Sequence, residues 1–529
     1  MGRTKAPGRQ KPLFTTLNAR RLAQALFLLL FLFLFLQTES KGADDLGYPA
    51  KLFLDFDPLL FLTTALSSRS LTASLLPSLG LLAITVLLGR VFCGWVCPLG
   101  TLNNIVGALK KWPAKSHARN WFRVKYFLLV GLLASSLFTM QLAGLVDPLS
   151  LLVRSLSLSV YPALNYPLNA LLDVLYASRF HALSGGAEHL EAVLRKSILA
   201  FHQPYYAQGL LIAVLFAGVL ALNLVERRFW CRYLCPLGAL LGLFSRWALL
   251  KRSAAEGCNS CGACDYACQG NANPSGGGTW MPTECLYCWN CDDVCPTDGV
   301  RFGFTASKAP VGINLGRRRV LGAAALGACS VALFRATPPY KPGKPNPRLI
   351  RPPGSCEESD FLERCVKCGE CMKVCITNGL QPALLEAGLE GLWSPVLVPK
   401  MGYCEYRCTL CGQVCPTGAI RRLTQEEKAA TKIGLAMVDK GRCLPFAHAT
   451  PCIVCEEVCP TPTKAIWLDE VSVRNRKGEA VQVRQPRVDL DLCIGCGICE
   501  ARCPVVDSPA IRVTSVGESR SRENRVVLS

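Results

Sequence analysis

Thirty cysteines set the chemistry open to this chain of 529 residues, and their spacing matters more than their number. Cys258, Cys261, Cys264 and Cys268 read C-x2-C-x2-C-x3-C, and Cys285, Cys288, Cys291 and Cys295 repeat it. Two-residue gaps let the backbone curl so that three thiolates grip one iron–sulfur cubane, while the fourth cysteine reaches across to a neighbouring one. The pattern assigns one [4Fe–4S] cluster to Cys258, Cys261, Cys264 and Cys295, and another to Cys285, Cys288, Cys291 and Cys268. Pro296 follows the last cysteine, whereas Gln269 stands after Cys268. Eight thiols in this regular order do not read as a pair of four-cysteine zinc sites.

The theme recurs four times further along. Cys365, Cys368, Cys371 and Cys375 keep the same spacing, as do Cys493, Cys496, Cys499 and Cys503. Cys404, Cys408, Cys411 and Cys415 open with a three-residue gap, and eight residues separate Cys443 from Cys452, Cys455 and Cys459. Taken alone, the start of the second motif has radical-SAM spacing. Its fourth cysteine, the following Pro416 and three sister motifs speak against that chemistry. Pro460 and Pro504 close two other motifs, and Ile376 closes the first. Short β-branched segments flank them: Ala419-Ile420, Ile466-Trp467-Leu468 and Val488-Asp489-Leu490. This strand–loop–helix rhythm predicts α+β domains like bacterial ferredoxins, and six [4Fe–4S] clusters in all. Cys356 lies outside every motif and reads as an ordinary thiol.

A second kind of cysteine pair occurs twice. Phe92-Cys93-Gly94-Trp95-Val96-Cys97-Pro98-Leu99-Gly100 matches Trp230-Cys231-Arg232-Tyr233-Leu234-Cys235-Pro236-Leu237-Gly238. Asp57-Pro58-Leu59 and Asp147-Pro148-Leu149 echo one another upstream, so the region reads as two similarly oriented halves. Cysteines four residues apart on a helix share a face. If the halves pack together, Cys93, Cys97, Cys231 and Cys235 converge. Three roles stay open there: an additional iron or cluster site, redox dithiols, or structural thiols.

These motifs must be carried by a membrane protein. The apolar run Leu22–Leu36 reads as an anchor; it lacks the small-residue cleavage site of a signal peptide. Leu71–Gly89, Tyr126–Val146 and Ala207–Val225 are uncharged and apolar, giving four expected spans. Basic residues cluster at the N-terminus (Arg3, Lys5, Arg9, Lys11, Arg20, Arg21), from Lys110 to Lys125, and from Arg227 to Arg252. The positive-inside rule puts these stretches in the cytoplasm and segments 38–70 and 147–206 outside. A fifth apolar run, Val320–Phe334, follows Arg317, Arg318 and Arg319 and resembles a twin-arginine export signal or anchor. Leu326-Gly327-Ala328-Cys329 weakly resembles a lipobox, and Cys329 reads as a small packed residue.

The expected organisation is multidomain. An α-helical membrane domain covers 1–250, with four spans and the later anchor-like helix, and a cytoplasmic two-cluster ferredoxin covers 251–305. A signal or anchor helix covers 315–336, a Pro-rich linker 337–355, and an exported four-cluster domain 356–529. The chain is expected in the bacterial inner membrane as a multi-pass protein, with residues 337–529 periplasmic.

Composition excludes several alternatives. The formal net charge of +20 comes without any helix-turn-helix or aromatic-basic signature, so no nucleic-acid partner is expected. Tight clustering of the cysteines in a long chain excludes a disulfide scaffold. There is no C-x2-C-H haem motif, Walker A motif or dinucleotide fingerprint. The chain should move electrons without a substrate-converting active site of its own.

Residues 1–305 resemble the NapH-type membrane quinol dehydrogenase component of periplasmic nitrate reduction. That type also has four spans, two C-x3-C-P motifs and a two-cluster ferredoxin. Residues 315–529 resemble its NapG/MauM-type exported four-cluster partner, so the two look fused. The resemblance implies quinol as electron donor, lipid contact, and a periplasmic terminal reductase or electron carrier as partner. It also implies that motifs one and four share a ferredoxin lobe, as do two and three. Cys503 would then complete the first cluster and Cys375 the fourth, with Cys415 and Cys459 exchanged likewise; sequence order equally permits neighbours to pair. A redox maturation or regulatory factor for a metalloenzyme is the rival function. Asp57, Asp147, His181 and His202 could take quinol protons, but the simpler expectation is that they are loop or capping residues.

Overall fold

The structure is a computed structural model. It describes residues 15–524 apart from 41, 43, 111–119, 178–187, 189–190, 196–198, 201, 255–257, 275–279, 298, 305–314, 336–345, 475–476, 506 and 522–523. His181, the N-terminal Arg3 to Lys11, and residues 337–345 of the Pro-rich linker lie outside the described residues. The chain forms two compact units. The first takes Met1–Phe35, Leu52–Leu152 and Ala213–Val331; the second takes Leu36–Lys51, Val153–Ile212 and Ala332–Ser529.

The first unit is mostly helical. The helix Thr16–Gln37 extends the apolar run N-terminally to 22 residues, and among the described residues it alone is long and apolar enough to cross a bilayer unaided. Leu26 and Leu29 are exposed on it, whereas Phe31, Leu34 and Phe35 are buried. The other expected spans are interrupted. Leu71–Gly89 becomes a turn of 3-10 helix, Ala73–Leu75, and the helix Ser78–Leu88, which start on either side of Pro77. Thr139 takes a left-handed φ of 62° and splits Tyr126–Val146 into Val124–Leu137 and Ala143–Val146. The third becomes Gly209–Ala221 followed by the 3-10 turn Leu222–Leu224. After the helix Pro236–Ser245, strand β1 (Leu250–Ala254) pairs antiparallel with β2 (Val300–Phe304), in register Leu250 to Phe304. That pairing closes a small lobe around the eight cysteines from 258 to 295.

The second unit contains two further lobes built the same way. In one, Ser355 bridges Ile420 antiparallel, joining the chain before the first motif to the chain after the second. Between them β3 (Leu380–Pro382) pairs with β4 (Pro395–Leu397). In the other, β5 (Leu435–Val438) pairs with β8 (Ile511–Thr514), enclosing the third and fourth motifs. A longer hairpin of β6 (Ile466–Arg474) and β7 (Ala480–Val488) stands between those motifs. The two lobes share one core, in which Phe361, Met372, Leu410 and Val414 join Ile433, Leu435, Ile466 and Ile511.

The helix Arg317–Arg335 runs through the expected signal-like segment. Gly327 meets Gly131 of the helix Val124–Leu137 so closely that a Cβ on Gly327 would stand 2.2 Å from the Gly131 carbonyl oxygen. Small residues at such a crossing let helix backbones touch. Gly327→Leu is therefore expected to destabilise the purified protein by about 1–3 kcal/mol through overpacking. Leu326→Ala, at a position 74% exposed, should leave thermal unfolding unchanged. Equal melting of the two variants would contradict the crossing.

Candidate iron–sulfur centres

Six short helices recur, one per ferredoxin motif: Ala263–Ala267, Asn290–Asp293, Glu370–Lys373, Leu410–Gln413, Val454–Glu457 and Ile498–Ala501. Each carries the third cysteine of its motif. Gly262, Gly369 and Gly497, directly after a second cysteine, have φ values of 73°, 86° and 85°. A residue with a Cβ is strained in that region, so glycine lets the chain turn back and present the next thiol. Trp289 holds the same conformation after Cys288, with φ 54°. The long gap after Cys443 is filled by a helical turn, Leu444–Ala447.

The lobes decide which cysteines meet. Cys415 acts electrostatically on Cys365, Cys368 and Cys371, and Cys375 acts on Cys404, Cys408 and Cys411. Cys503 acts on Cys443, while Cys459 acts on Cys493 and Cys496, and Cys455 acts on Cys499. The closing cysteines of neighbouring motifs therefore lie beside each other's thiols. The pairing of motif one with four and two with three, implied by the family resemblance, is not the one found. Its physical obstacle is register: the Ser355–Ile420 bridge and the β5–β8 pair each close around two consecutive motifs. In the first unit Cys268 faces Cys285, Cys288 and Cys291. Gly299, whose amide donates to Cys295 Sγ at 3.2 Å, lies against the backbone of Cys258.

The donor geometry fits clusters. Cys365, Cys368, Cys371 and Cys415 line a small hollow, partly open to solvent, together with Phe361, Val366 and Ile420. No group of three or more His, Cys, Asp or Glu among the described residues is arranged to hold a single metal ion. Thiols set wide around a hollow suit a multi-iron cubane better than zinc. Burial pushes the thiols of Cys408, Cys455 and Cys496 up to about 12. Without iron they stay protonated at neutral pH, so cluster loading displaces protons. Backbone amides already point at the closing sulfurs: Ala272 at Cys268 (3.2 Å), Ile420 at Cys415 (3.4 Å) and Ala510 at Cys503 (3.4 Å). The sequence reading overlooked one recurrent partner. Thr297, Thr377, Thr417 and Thr461 each stand two residues after a closing cysteine, 3.4–3.9 Å from its sulfur.

The two C-x3-C-P motifs sit on single π-turns, Phe92–Val96 and Trp230–Leu234, not on regular α-helix. Pro98 and Pro236 then open helices whose first turns are capped by sulfur. Gly100 N–H donates to Cys97 Sγ at 3.4 Å and Gly238 N–H to Cys235 Sγ at 3.2 Å. Cys93, Cys97, Cys231 and Cys235 are mutual electrostatic neighbours, as the repeat suggested. Two arginines at equivalent places cross over. Arg228 donates to Cys93 O at 3.0 Å, and Arg90 lies beside Cys235 and Gly238. Both are buried, and two helix N-termini add further positive charge. The site is thus built for anionic sulfur.

This site abuts the ferredoxin lobe of its own unit. Arg90 donates to Thr283 O and Trp95 Nε1 to Tyr287 O, both at 2.8 Å. A Cβ on Gly94 would stand 2.2 Å from Leu286 O. Glu284, next to Cys285, is buried between Lys125, Tyr126 and Arg90, with Tyr126 Oη donating at 2.7 Å. Asp57 and Asp147 meet in the same unit. Each accepts two amides at the start of a helix, as expected of caps, but both are fully buried. Their carboxyl groups are close electrostatic neighbours. His202 is exposed and lines a cleft beside Cys375 in the second unit.

Comparison with known proteins places this chemistry. A 4Fe-4S binding domain model matches residues 71–116 and 208–254, covering both C-x3-C-P motifs, and another matches residues 486–506. The ferredoxin-type protein NapG of Escherichia coli is 36% identical over 166 residues, 31% of this chain and 69% of NapG. The methylamine utilization ferredoxin-type protein MauM of Paracoccus denitrificans is 35% identical over 198 residues, 37% of this chain and 82% of MauM. The chain belongs to the NapG/MauM family of ferredoxin-type proteins. It is an iron–sulfur electron-transfer protein. The regulatory protein NosR of Pseudomonas aeruginosa is 28% identical over 269 residues, 47% of this chain and 28% of NosR. No solved structure matches.

Within this NapG/MauM-type chain, ligand exchange between neighbouring motifs is testable. Cys415→Ser should alter the same electron paramagnetic resonance signal of the reduced protein as Cys365→Ser. Cys503→Ser should alter the signal that responds to Cys443→Ser. A Cys503→Ser effect on the Cys365-dependent signal would restore the exchange between motifs one and four.

Proposed function

We propose that this chain takes electrons from membrane quinol and carries them through [4Fe–4S] clusters to a periplasmic oxidoreductase or carrier. The cysteines of the six ferredoxin motifs hold six clusters, exchanged between neighbours as described. Cys93, Cys97, Cys231 and Cys235 hold a further iron–sulfur cluster at the cytoplasmic membrane face. Each cluster, when bound, exchanges one electron at a time. The chain's own residues set the spacing, exclude water and balance the sulfur charge.

One observation carries this reading. The amide of Cys404 donates to the carbonyl of Cys496 at 2.8 Å, so a cluster site of one lobe abuts a cluster site of the next. Unbroken adjacency is what a conduit needs. The topology has partial support: of the segments 38–70 and 147–206 expected outside, residues 38–51 and 153–206 fold into one unit with Ala332–Ser529, while 52–70 and 147–152 belong to the other. The lobe at 250–304 belongs to the other unit, in line with a cytoplasmic ferredoxin. Four membrane crossings, with the broken helices completing them in pairs, and a retained anchor at Arg317–Arg335 belong to the same reading.

The purified holoprotein should hold roughly 28 irons, four per cluster, and about 24 after Cys93→Ala with Cys231→Ala. Menadiol should bleach its visible iron–sulfur absorbance. Clusters that dithionite reduces and menadiol leaves oxidised would refute quinol as donor. The likeness to NosR favours a second reading, redox control of a metalloenzyme. Deletion of the gene separates the two. A partner enzyme made with its cofactor but cut off from quinol supports the conduit, and one lacking its cofactor supports redox control.

A further inference from the structure

A short helix of the second unit, Gln425–Ala430, follows the motif Cys404–Cys415 and carries no cysteine. A capping box fixes its start: Glu427 N–H donates to Thr424 Oγ1 at 3.2 Å, and Thr424 N–H donates to Glu427 Oε2 at 2.8 Å. The helix holds Lys428, which is only 2% exposed. Its ammonium donates to the carbonyls of Glu405 at 2.8 Å and Tyr406 at 2.9 Å, the residues directly after Cys404. An ammonium has a further N–H beyond these. Among the described residues no carboxylate lies within ion-pair distance of Lys428. Other buried cations of the same unit have one: Arg351 meets Glu358 at 2.6 Å, and Lys373 stands 3.8 Å from Glu39. Burying an ammonium costs desolvation that an opposite charge must offset. The negative charge facing Lys428 is sulfur, since it acts electrostatically on Cys404 and Cys411.

We propose that the Lys428 ammonium is the fixed counter-charge of the cluster held through Cys404, Cys408 and Cys411, and that it raises the potential at which this cluster takes an electron. The proposal rests on the reading that this motif holds a [4Fe–4S] cluster, and not on which donor feeds it. On reduction the cluster gains one electron from a neighbouring cluster, and no bond to Lys428 forms or breaks. The added negative charge meets an ammonium already in place and buried, so the reduced form is stabilised more than the oxidised one. Two carboxylates oppose it. Glu405 acts on Cys404, and Asp44, which accepts from Thr409 N–H and Thr409 Oγ1 at 2.7 Å each, acts on Cys408. Both favour the oxidised form. The place matters because the Cys404 amide donates to the Cys496 carbonyl at 2.8 Å, where one lobe meets the next. Lys428 thereby sets how firmly an electron is held at the crossing between the lobes.

The test is a potentiometric titration of the full-length holoprotein, followed by electron paramagnetic resonance and read at the signal that Cys404→Ser alters. Lys428→Gln removes the charge and keeps N–H donors. At a fixed potential it should lower the reduced-to-oxidised ratio of this cluster by about tenfold, which is ~59 mV for one electron. Lys428→Arg should hold the wild-type midpoint, and Asp44→Asn should move it the opposite way. The signals that Cys365→Ser and Cys443→Ser alter should stay in place. An unshifted midpoint in iron-loaded Lys428→Gln, or a Lys428→Arg protein that shifts as Lys428→Gln does, would overturn the proposal. If Lys428→Gln loses this cluster, Lys428→Arg decides: loading restored by the second cation upholds the counter-charge, and loss in both variants overturns it. A wild type without any Cys404-dependent signal would instead sink the cluster reading of this motif.

Discussion

The fourth cysteine of each ferredoxin motif lies by its neighbour's thiols, and this placement constrains the rest of the architecture. A motif cannot complete its own sulfur cage. Two must be brought face to face, and only an antiparallel closure of the flanking chain does this. Leu250–Ala254 on Val300–Phe304, Ser355 on Ile420, and Leu435–Val438 on Ile511–Thr514 are three versions of that closure. The strands are short because they need only fix register. A slip of one residue would turn every side chain over and misdirect the cysteines beyond. The hairpin Ile466–Val488 and the pair around Leu380 and Pro395 lie inside these closures and tolerate their own lengths.

Concentrated sulfur charge then needs compensation. Surface lysines screened by water supply little of it. The buried cations do more: Arg90 and Arg228 by the C-x3-C-P cysteines, and Lys367 and Lys373 within the motif Cys365–Cys375. Burial lowers the proton affinity of Lys367 and brings Lys373 down to about 8. Cysteine and glutamate charge acts the other way and favours the ammonium form: Cys365 and Glu390 at Lys367, Glu39 and Glu370 at Lys373. Each such cation costs desolvation and is worth keeping only where anionic charge answers it. Buried positive charge is therefore a marker of where electrons reside.

The sequence made the cysteine groups legible because ligand spacing is local. Cys258 to Cys268 can be read without knowing anything beyond their loop. Which closing cysteine joins which cluster was not legible, because strand pairing between residues such as 355 and 420 decides it. The family resemblance pointed to the wrong partner. Hydropathy located the apolar segments but not their breaks, since the left-handed Thr139 leaves no trace in an average over apolar residues. Arg228 was hidden within the basic stretch from Arg227 to Arg252, and Arg90 stood alone after an apolar run. The Asp-Pro-Leu repeats were seen, and their capping role anticipated, but not that the two aspartates meet. The threonines after the closing cysteines were readable as C-P-T and C-I-T all along.

Duplication in the helical region has a chemical reason. One C-x3-C-P motif offers two thiols, too few to enclose an iron–sulfur cluster. One Asp-Pro-Leu offers a single carboxyl, which caps a helix and does nothing else. Two copies facing each other supply four sulfurs at one level and a pair of buried carboxyl groups at the other. The two arginines show the same logic, since each stands among the cysteines of both motifs. A half-unit would leave a buried guanidinium and two buried thiols without partners, which is costly enough to disfavour it alone. The repeat is thus held together by the charge that its function requires, and stability and electron transfer draw on the same buried contacts.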